Sequence, residues 1–218
     1  MSDADAEKRL AAEAAAELVE DGMTVGLGTG STVAHLLPAI ARRGLKGIRC
    51  VATSVATEEQ ARELGIPVED FNRLSRLDIA IDGTDQVTPD GWLIKGGGGA
   101  HLREKIVAAA ADRFVVISDS SKPVDLLTWR VPLELFAFGL ESTLARLGDA
   151  AEVRPDTPRS PDDGVIADYA GDVADPAPLA AMLDADPGVA AHGLFPPALV
   201  SEVLIGRGEA VERRVPGS

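Results

Sequence analysis

Apolar positions along the chain follow two spacings that alternate from the first residues onward. Leu10, Ala14, Leu18 and Val19 recur at helical intervals and predict a helix over 5–20, with Asp3 or Asp5 as its cap. A short apolar run at 23–27 then predicts a buried strand, followed by Gly28-Thr29-Gly30-Ser31-Thr32 and a second helix over 33–43. Further strand-like runs at 48–52, 77–81 and 114–118 alternate with helical stretches at 57–64 and 100–111. Trp92, Leu93 and Ile94 read as the end of another strand. Strands that alternate with helices predict an α/β fold with a mostly parallel sheet covered by helices.

The pattern changes after Leu127, and Pro132 marks a boundary. From there the order is strand (131–135), helix (138–147), strand (151–154), strand (165–169), helix (177–183) and strand (189–194). That is the ferredoxin-like order of a smaller α+β domain, with Pro161-Asp162-Asp163-Gly164 as its central turn. The run 198–205 leads the chain back to the first unit. The expected division is a larger domain of residues 1–129 and 205–218, and a smaller one of residues 130–204.

Composition narrows the partners. The 218 residues carry a formal net charge of −14, and no basic patch is visible that could displace the counterions of a nucleic acid. No apolar run is long enough for a membrane span, and the first ten residues are acidic and polar, so the expected setting is the cytoplasm. The single cysteine, Cys50, has no intrachain partner and is expected in a core strand; His35, His101 and His192 show no zinc-site spacing. Only five of the 21 cationic residues are lysines, against 35 aspartates and glutamates. Such a surface suits a very salty cytoplasm, where the screening length falls to ~3 Å near 1 M salt.

Four segments carry candidate chemistry. The most informative is Lys95-Gly96-Gly97-Gly98-Gly99, which runs into His101-Leu102-Arg103-Glu104-Lys105. Four glycines supply nothing to pack, so they mark backbone held close to a ligand or another segment, with Lys95 and Glu104 flanking the place. Arg103 and Lys105 read instead as structural or solvated charges. Thr29, Gly30, Ser31 and Thr32 offer hydroxyls and amides at a helix start, which suits a phosphate monoester; a helix cap with a tight turn is the alternative. Serine at position 31 breaks the dinucleotide fingerprint, and the glycine-lysine pair of a P-loop is missing. Asp82-Gly83-Thr84-Asp85 follows a strand and places two carboxylates either on substrate hydroxyls or in an ordinary turn. Ser120-Ser121-Lys122 follows the strand at 114–118 and could bring a further cation to the same rim. Loops at the carboxyl ends of parallel strands converge, so the four could share one pocket.

Taken in order and with their spacing, these segments resemble the type A ribose-5-phosphate isomerases. The resemblance rests on Gly28 to Thr32, Asp82 to Asp85, Lys95 to Gly98 with Arg103-Glu104-Lys105, and Ser121-Lys122, and Pro187-Gly188-Val189 with Gly193-Leu194-Phe195 adds to it. It implies a Rossmann-like domain with a ferredoxin-like lid, and interconversion of ribose 5-phosphate and ribulose 5-phosphate through a cis-enediolate. No metal or organic cofactor is implied, and the assembly would be a homodimer or homotetramer. Carried onto this chain, Glu104 is the base and Lys95, with loop amides at Gly96, Gly97 and Gly98, stabilises the enediolate. Asp82 and Asp85, with Gly83 and Thr84 between them, bind hydroxyls, and Asp82 assists ring opening. Thr29 to Thr32 hold the phosphate with Lys122 and Lys8. The chain departs from the family pattern at Thr84, Gln86 and His101. A coenzyme A transferase with a glutamate nucleophile and a non-catalytic sugar-phosphate sensor are the rival readings.

Overall fold

The computed structural model describes residues 3–216. Helix α1 (Asp3–Ala16) precedes β1 (Thr24–Leu27), α2 (Val33–Arg43), β2 (Arg49–Ala52), α3 (Val55–Glu63) and β3 (Ile79–Gly83). The short strands β4 (Gln86–Val87) and β5 (Leu93–Ile94) follow, then α4 (His101–Ala109) and β6 (Phe114–Asp119). A second group comprises β7 (Val131–Leu135), α5 (Leu140–Leu147), β8 (Ala151–Val153), β9 (Val165–Tyr169), α6 (Pro176–Ala185) and β10 (Val189–His192). The chain ends with β11 (Leu194–Phe195), β12 (Glu202–Arg207) and β13 (Ala210–Arg214).

The main sheet has the order β13-β12-β6-β3-β1-β2, and every neighbour pair is parallel except the terminal hairpin β12–β13. Successive side chains of a strand point to opposite faces, and the sequence fills both. Val25, Leu27, Ile79, Ile81, Val115 and Ile117 meet Ala11, Ala12 and Ala15 of α1 and Leu36, Leu37 and Ile40 of α2. The alternate residues Ala80, Phe114, Val116, Val203 and Ile205 pack with Val107 and Ala108 of α4 and with Phe195. Cys50 is fully buried in β2, where burial pushes its thiol up to about 12.

The second sheet has the order β10-β7-β9-β8, all antiparallel, which is the ferredoxin-like arrangement expected from the sequence. Leu133, Leu135 and Ala167 on one face share a core with Leu147, Leu179 and Leu183 of the two helices. The other face carries Pro132, Glu134, Ile166 and Asp168, placed side by side by the β7–β9 register.

Three features depart from the sequence reading. The first helix ends at Ala16 rather than near residue 20, and Asp3 and Asp5 lie inside its first turn, where carboxylates complement the helix dipole. The strand expected over 189–194 breaks at Gly193, because the chain there runs against Lys95. Lys95 N donates to Gly193 O at 2.9 Å, and a side-chain carbon at Gly193 would lie 2.2 Å from Lys95 O. The break frees Leu194 and Phe195 to pair with β5, giving the three-stranded sheet β11-β5-β4 that the sequence did not reveal. Finally, the polar segment Ala210–Arg214 is an edge strand. Among the described residues, no helix is long and apolar enough to cross a membrane.

Candidate active site

Strands β6, β3 and β1 are neighbours and run in the same direction, so the segments that follow them emerge together. They line one cavity of about 120 Å³ together with the glycine run. Its walls are Thr29, Gly30, Ser31 and Thr32 after β1, Gly83, Thr84 and Asp85 at the end of β3, Lys122 after β6, and Lys95, Gly96, Gly97, Gly98 and Glu104. Asp82 and Lys8 stand just outside this lining. Asp82 lies behind it in β3, and Lys8 reaches from α1 to donate to Ser31 Oγ at 3.0 Å.

The floor is a buried group of three charges. Lys95, Asp82 and Glu104 are 2%, 3% and 4% exposed. An unpaired ammonium at such depth would cost several kcal/mol, and Lys95 Nζ is accordingly surrounded by acceptors. It donates to Asp82 Oδ2 at 2.8 Å and to Gly83 O at 2.6 Å, and lies 3.1 Å from Glu104 Oε2. The other oxygen of Asp82, Oδ1, accepts from Thr29 N at 3.0 Å and Gly83 N at 2.7 Å. Asp82 is thus fully occupied by protein donors. Glu104 differs, since its Oε2 has the ammonium nearby but accepts no well-directed hydrogen bond.

Electrostatics follow from this arrangement. Burial works against the charge on Lys95, but the Asp82 and Glu104 carboxylates outweigh it and hold the ammonium protonated above the ordinary lysine range. Burial, reinforced by the negative charge of Asp82, pushes Glu104 well above the ordinary glutamate range, against the pull of Lys95. Two opposite demands on one carboxyl group leave it able to take up and release a proton near neutral pH.

The glycine run is shaped by its neighbours. Gly96 has φ +90°, and a side chain there would also meet His101 Cβ at 2.4 Å. Gly97 donates its N–H to Asp85 Oδ2 at 2.9 Å. Glu104 lies in the first turn of α4, so the helix start carries it over the end of the run. In the segment after β1, Thr32 precedes α2 and its hydroxyl makes no capping bond, which leaves it and the helix N-terminus for an anion, whereas Thr29 Oγ1 lies 2.7 Å from Thr53 Oγ1 and Ser31 Oγ accepts from Lys8.

The remaining sequence candidates have structural work. Arg103 makes a two-pronged pair with Asp162, at 2.7 and 2.9 Å. Lys105 sits 5.2 Å from the centroid of the Phe195 ring and 3.4 Å from His192 Nδ1, and burial lowers its amine to about 8. Gln86 turns away from the cavity: its Oε1 accepts from Thr128 N and Trp129 N, and its amide nitrogen donates to Thr128 Oγ1. Thr84 Oγ1 donates to Gln86 O and Ile94 O, fastening the same corner. His101 is fully buried beneath Gly96 and held neutral, near pKa 3, first by burial and then by Lys105 and Arg154. Phe195, which belongs to the segment that adds to the family resemblance, has its ring 5.4 Å from Lys95 Nζ, whereas Arg154, which donates to Gly97 O, carries no signal of a place beside the site in the pattern of residues. Among the described residues, no group of three or more His, Cys, Asp or Glu side chains is placed to hold a metal ion.

Comparison with known proteins gives this cavity a family. Residues 49–210 match the sequence profile described as "Ribose 5-phosphate isomerase A (phosphoriboisomerase A)". Ribose-5-phosphate isomerase A of Caulobacter vibrioides (strain NA1000 / CB15N) is 45% identical over 226 residues, covering 98% of this chain and 99% of the relative. The crystal structure of ribose 5 phosphate isomerase A from Neisseria gonorrhoeae superposes with a TM-score of 0.92 at 33% identity, covering 98% of each chain. A D-ribose-5-phosphate isomerase in complex with phospho-erythronic acid gives the same TM-score at 30% identity, covering 99% of this chain and all of the other. With the match running through all three sheets and every wall of the cavity, the chain belongs to the ribose 5-phosphate isomerase A family.

Proposed function

We propose that this cavity interconverts D-ribose 5-phosphate and D-ribulose 5-phosphate through a cis-enediolate. The observation that carries the reading is Glu104: a buried carboxylate with an oxygen lacking a directed hydrogen bond, beside a buried ammonium and across from a phosphate-type loop.

The phosphate lies against Thr29 to Thr32, where hydroxyls and the α2 N-terminus favour an anion, with Lys122 on the rim and Lys8 behind Ser31. Asp85 accepts from sugar hydroxyls. The substrate then extends toward Glu104, which removes the proton from C2 of the aldose and returns it to C1. Negative charge that builds on the carbonyl oxygen needs donors held in place beforehand. Lys95 spends two of its three N–H groups on Asp82 and Gly83 O and has no well-directed bond for the third, which lies on the Glu104 side. Direct donation to the oxyanion is shared between that N–H and the amides of the glycine run. Asp82 keeps Lys95 charged and in place, in addition to any part in ring opening. The same reading takes the enzyme to be cytoplasmic, to assemble as a homodimer or homotetramer, and to need no metal or organic cofactor.

The test is incubation with ribose 5-phosphate in deuterated water containing molar KCl, the medium that the acidic composition favours, followed by NMR. Ketose with solvent deuterium at C1 is the expected product. Sugar phosphate that binds and stays unchanged would overturn the reading in favour of a sensor.

A further inference from the structure

The glycine run has four residues with almost no conformational preference of their own, yet its amides must point at a developing oxyanion. Something outside the run must set their direction. On the N–H side of Gly97 this is Asp85, already in the cavity wall. On the C=O side it is Arg154, which comes from the second sheet and stands outside the cavity lining. Arg154 Nη1 donates to Gly97 O at 2.8 Å.

Arg154 is itself rigidly held. It follows β8 and donates its backbone N–H to Ile166 O at 3.0 Å, which aligns it with β9. Two residues further along β9, Asp168 takes Arg154 Nε and Nη2 at 2.8 and 2.7 Å in a two-pronged pair. The Asp168 side chain is 7% exposed and that of Arg154 19%, so the pair is largely shielded from water. Arg130 adds a looser contact to Asp168 at 3.6 Å. Ile166, on the same face, is the residue that a side chain at Gly99 would meet, at 3.6 Å. The outer face of the second sheet is therefore the bed on which the run lies.

In a planar trans peptide the C=O and the next N–H point in opposite directions. With Gly97 O turned to the guanidinium, the Gly98 N–H of the same plane points the other way, and Gly98 is a cavity residue. A cation on the carbonyl also polarises the peptide and makes that N–H a stronger donor. We infer that Arg154, braced by Asp168, is a positioning residue that clamps the Gly97–Gly98 peptide with its N–H toward the enediolate oxygen. This rests on the isomerase reading of the cavity.

The test compares Arg154→Met, Arg154→Lys and Asp168→Asn with the wild type. It measures kcat, KM, and the affinities for inorganic phosphate and for phospho-erythronic acid, which places a carboxylate at the reacting end. Loss of an oxyanion donor costs about 100-fold or more in kcat, so loosening one should cost about 10- to 30-fold in Arg154→Met, with KM within about threefold. Phospho-erythronic acid should bind about tenfold more weakly to this variant and inorganic phosphate equally well. Arg154→Lys, which keeps one donor for Gly97 O, and Asp168→Asn should fall between Arg154→Met and the wild type on both measures. These two also carry the test if Arg154→Met does not fold. Unchanged kcat in all folded variants, or equal weakening of both anions, would overturn the inference. A wild-type enzyme that does not turn over ribose 5-phosphate would overturn the isomerase reading instead, and this inference with it.

Discussion

Lys95 and Glu104 stand at opposite ends of the glycine run and meet at 3.1 Å, with side chains 2% and 5% exposed. The other two contacts of the ammonium, to Asp82 and Gly83 O, are built into β3. Glu104 is therefore the partner that can exchange the ammonium for a substrate. In the proposed reaction its carboxyl group moves the proton while the charge beside it stays fixed.

Replacing that carboxylate by its amide tests the assignment directly. Glu104→Gln keeps the volume and the first turn of α4, but an amide cannot take a proton from carbon. Turnover should fall at least ~100-fold, as for loss of a general base, with KM changed little. Steady-state kinetics on the folded variant decide the matter; turnover near that of the wild type would remove Glu104 from the mechanism.

The pH profile reports the same group. A base works only when deprotonated, so turnover should fall as pH drops through the folded-state pKa of Glu104. Burial and Asp82 place that midpoint above the ordinary value of 4.5. Asp82→Asn removes the charge that raises it and leaves Lys95 closer to full partnership with Glu104. Both changes act in the same direction, so the acid limb of kcat should move to lower pH in the variant, whatever its maximal rate. An unmoved or upward-shifted midpoint would show that Asp82 does not set the proton affinity of Glu104.

Much of this was legible in the chain, for identifiable reasons. Alternation of short apolar runs with helical stretches disclosed the main sheet, because both faces of a parallel sheet are buried and its strands are almost wholly apolar. The walls of the cavity were legible because glycine runs and hydroxyl-rich loops have few other uses. β5 was legible as the end of a strand at 92–94, but β4 and β11 and the pairing of all three escaped because two residues carry no periodicity; β11 pairs with β5 because Gly193 lets the chain approach Lys95. β13 escaped because an edge strand needs no apolar pattern. Arg154 and Asp168 were hidden for a third reason. They resemble any other surface pair until the ferredoxin-like register places them together beneath Gly97.

Lys122 should behave differently from Glu104. It lines the cavity from the segment after β6 and takes no part in the ion pairs of the three buried charges. Lys122→Ala removes a counter-charge for the phosphate, and one charge-assisted contact there is worth about 1.5–3 kcal/mol. KM for ribose 5-phosphate should therefore rise by about 10- to 100-fold while kcat stays within about threefold. A kcat loss with KM unchanged would place the phosphate elsewhere.

Two glycine substitutions separate the packing of the site from the space within it. A methyl group at Gly28 would lie 2.0 Å from Asp82 Cγ and Oδ1, so Asp82 must move. That carboxylate holds Thr29 N, Gly83 N and Lys95 at once, so its displacement loosens the phosphate loop and the buried ammonium together. Gly28→Ala should lower both kcat and thermal stability, the latter by about 1–3 kcal/mol as for other overpacked cores. At Gly98 a methyl group would meet nothing within 4 Å, and the backbone lies outside the left-handed region. Gly98→Ala should leave the thermal midpoint almost unchanged, yet raise KM by at least about tenfold because the methyl stands in the space the substrate needs. Calorimetry and kinetics on the two variants should thus part company. If Gly98→Ala bound ribose 5-phosphate normally, the sugar could not lie against the glycine run, and the enediolate would have to form against another wall of the cavity.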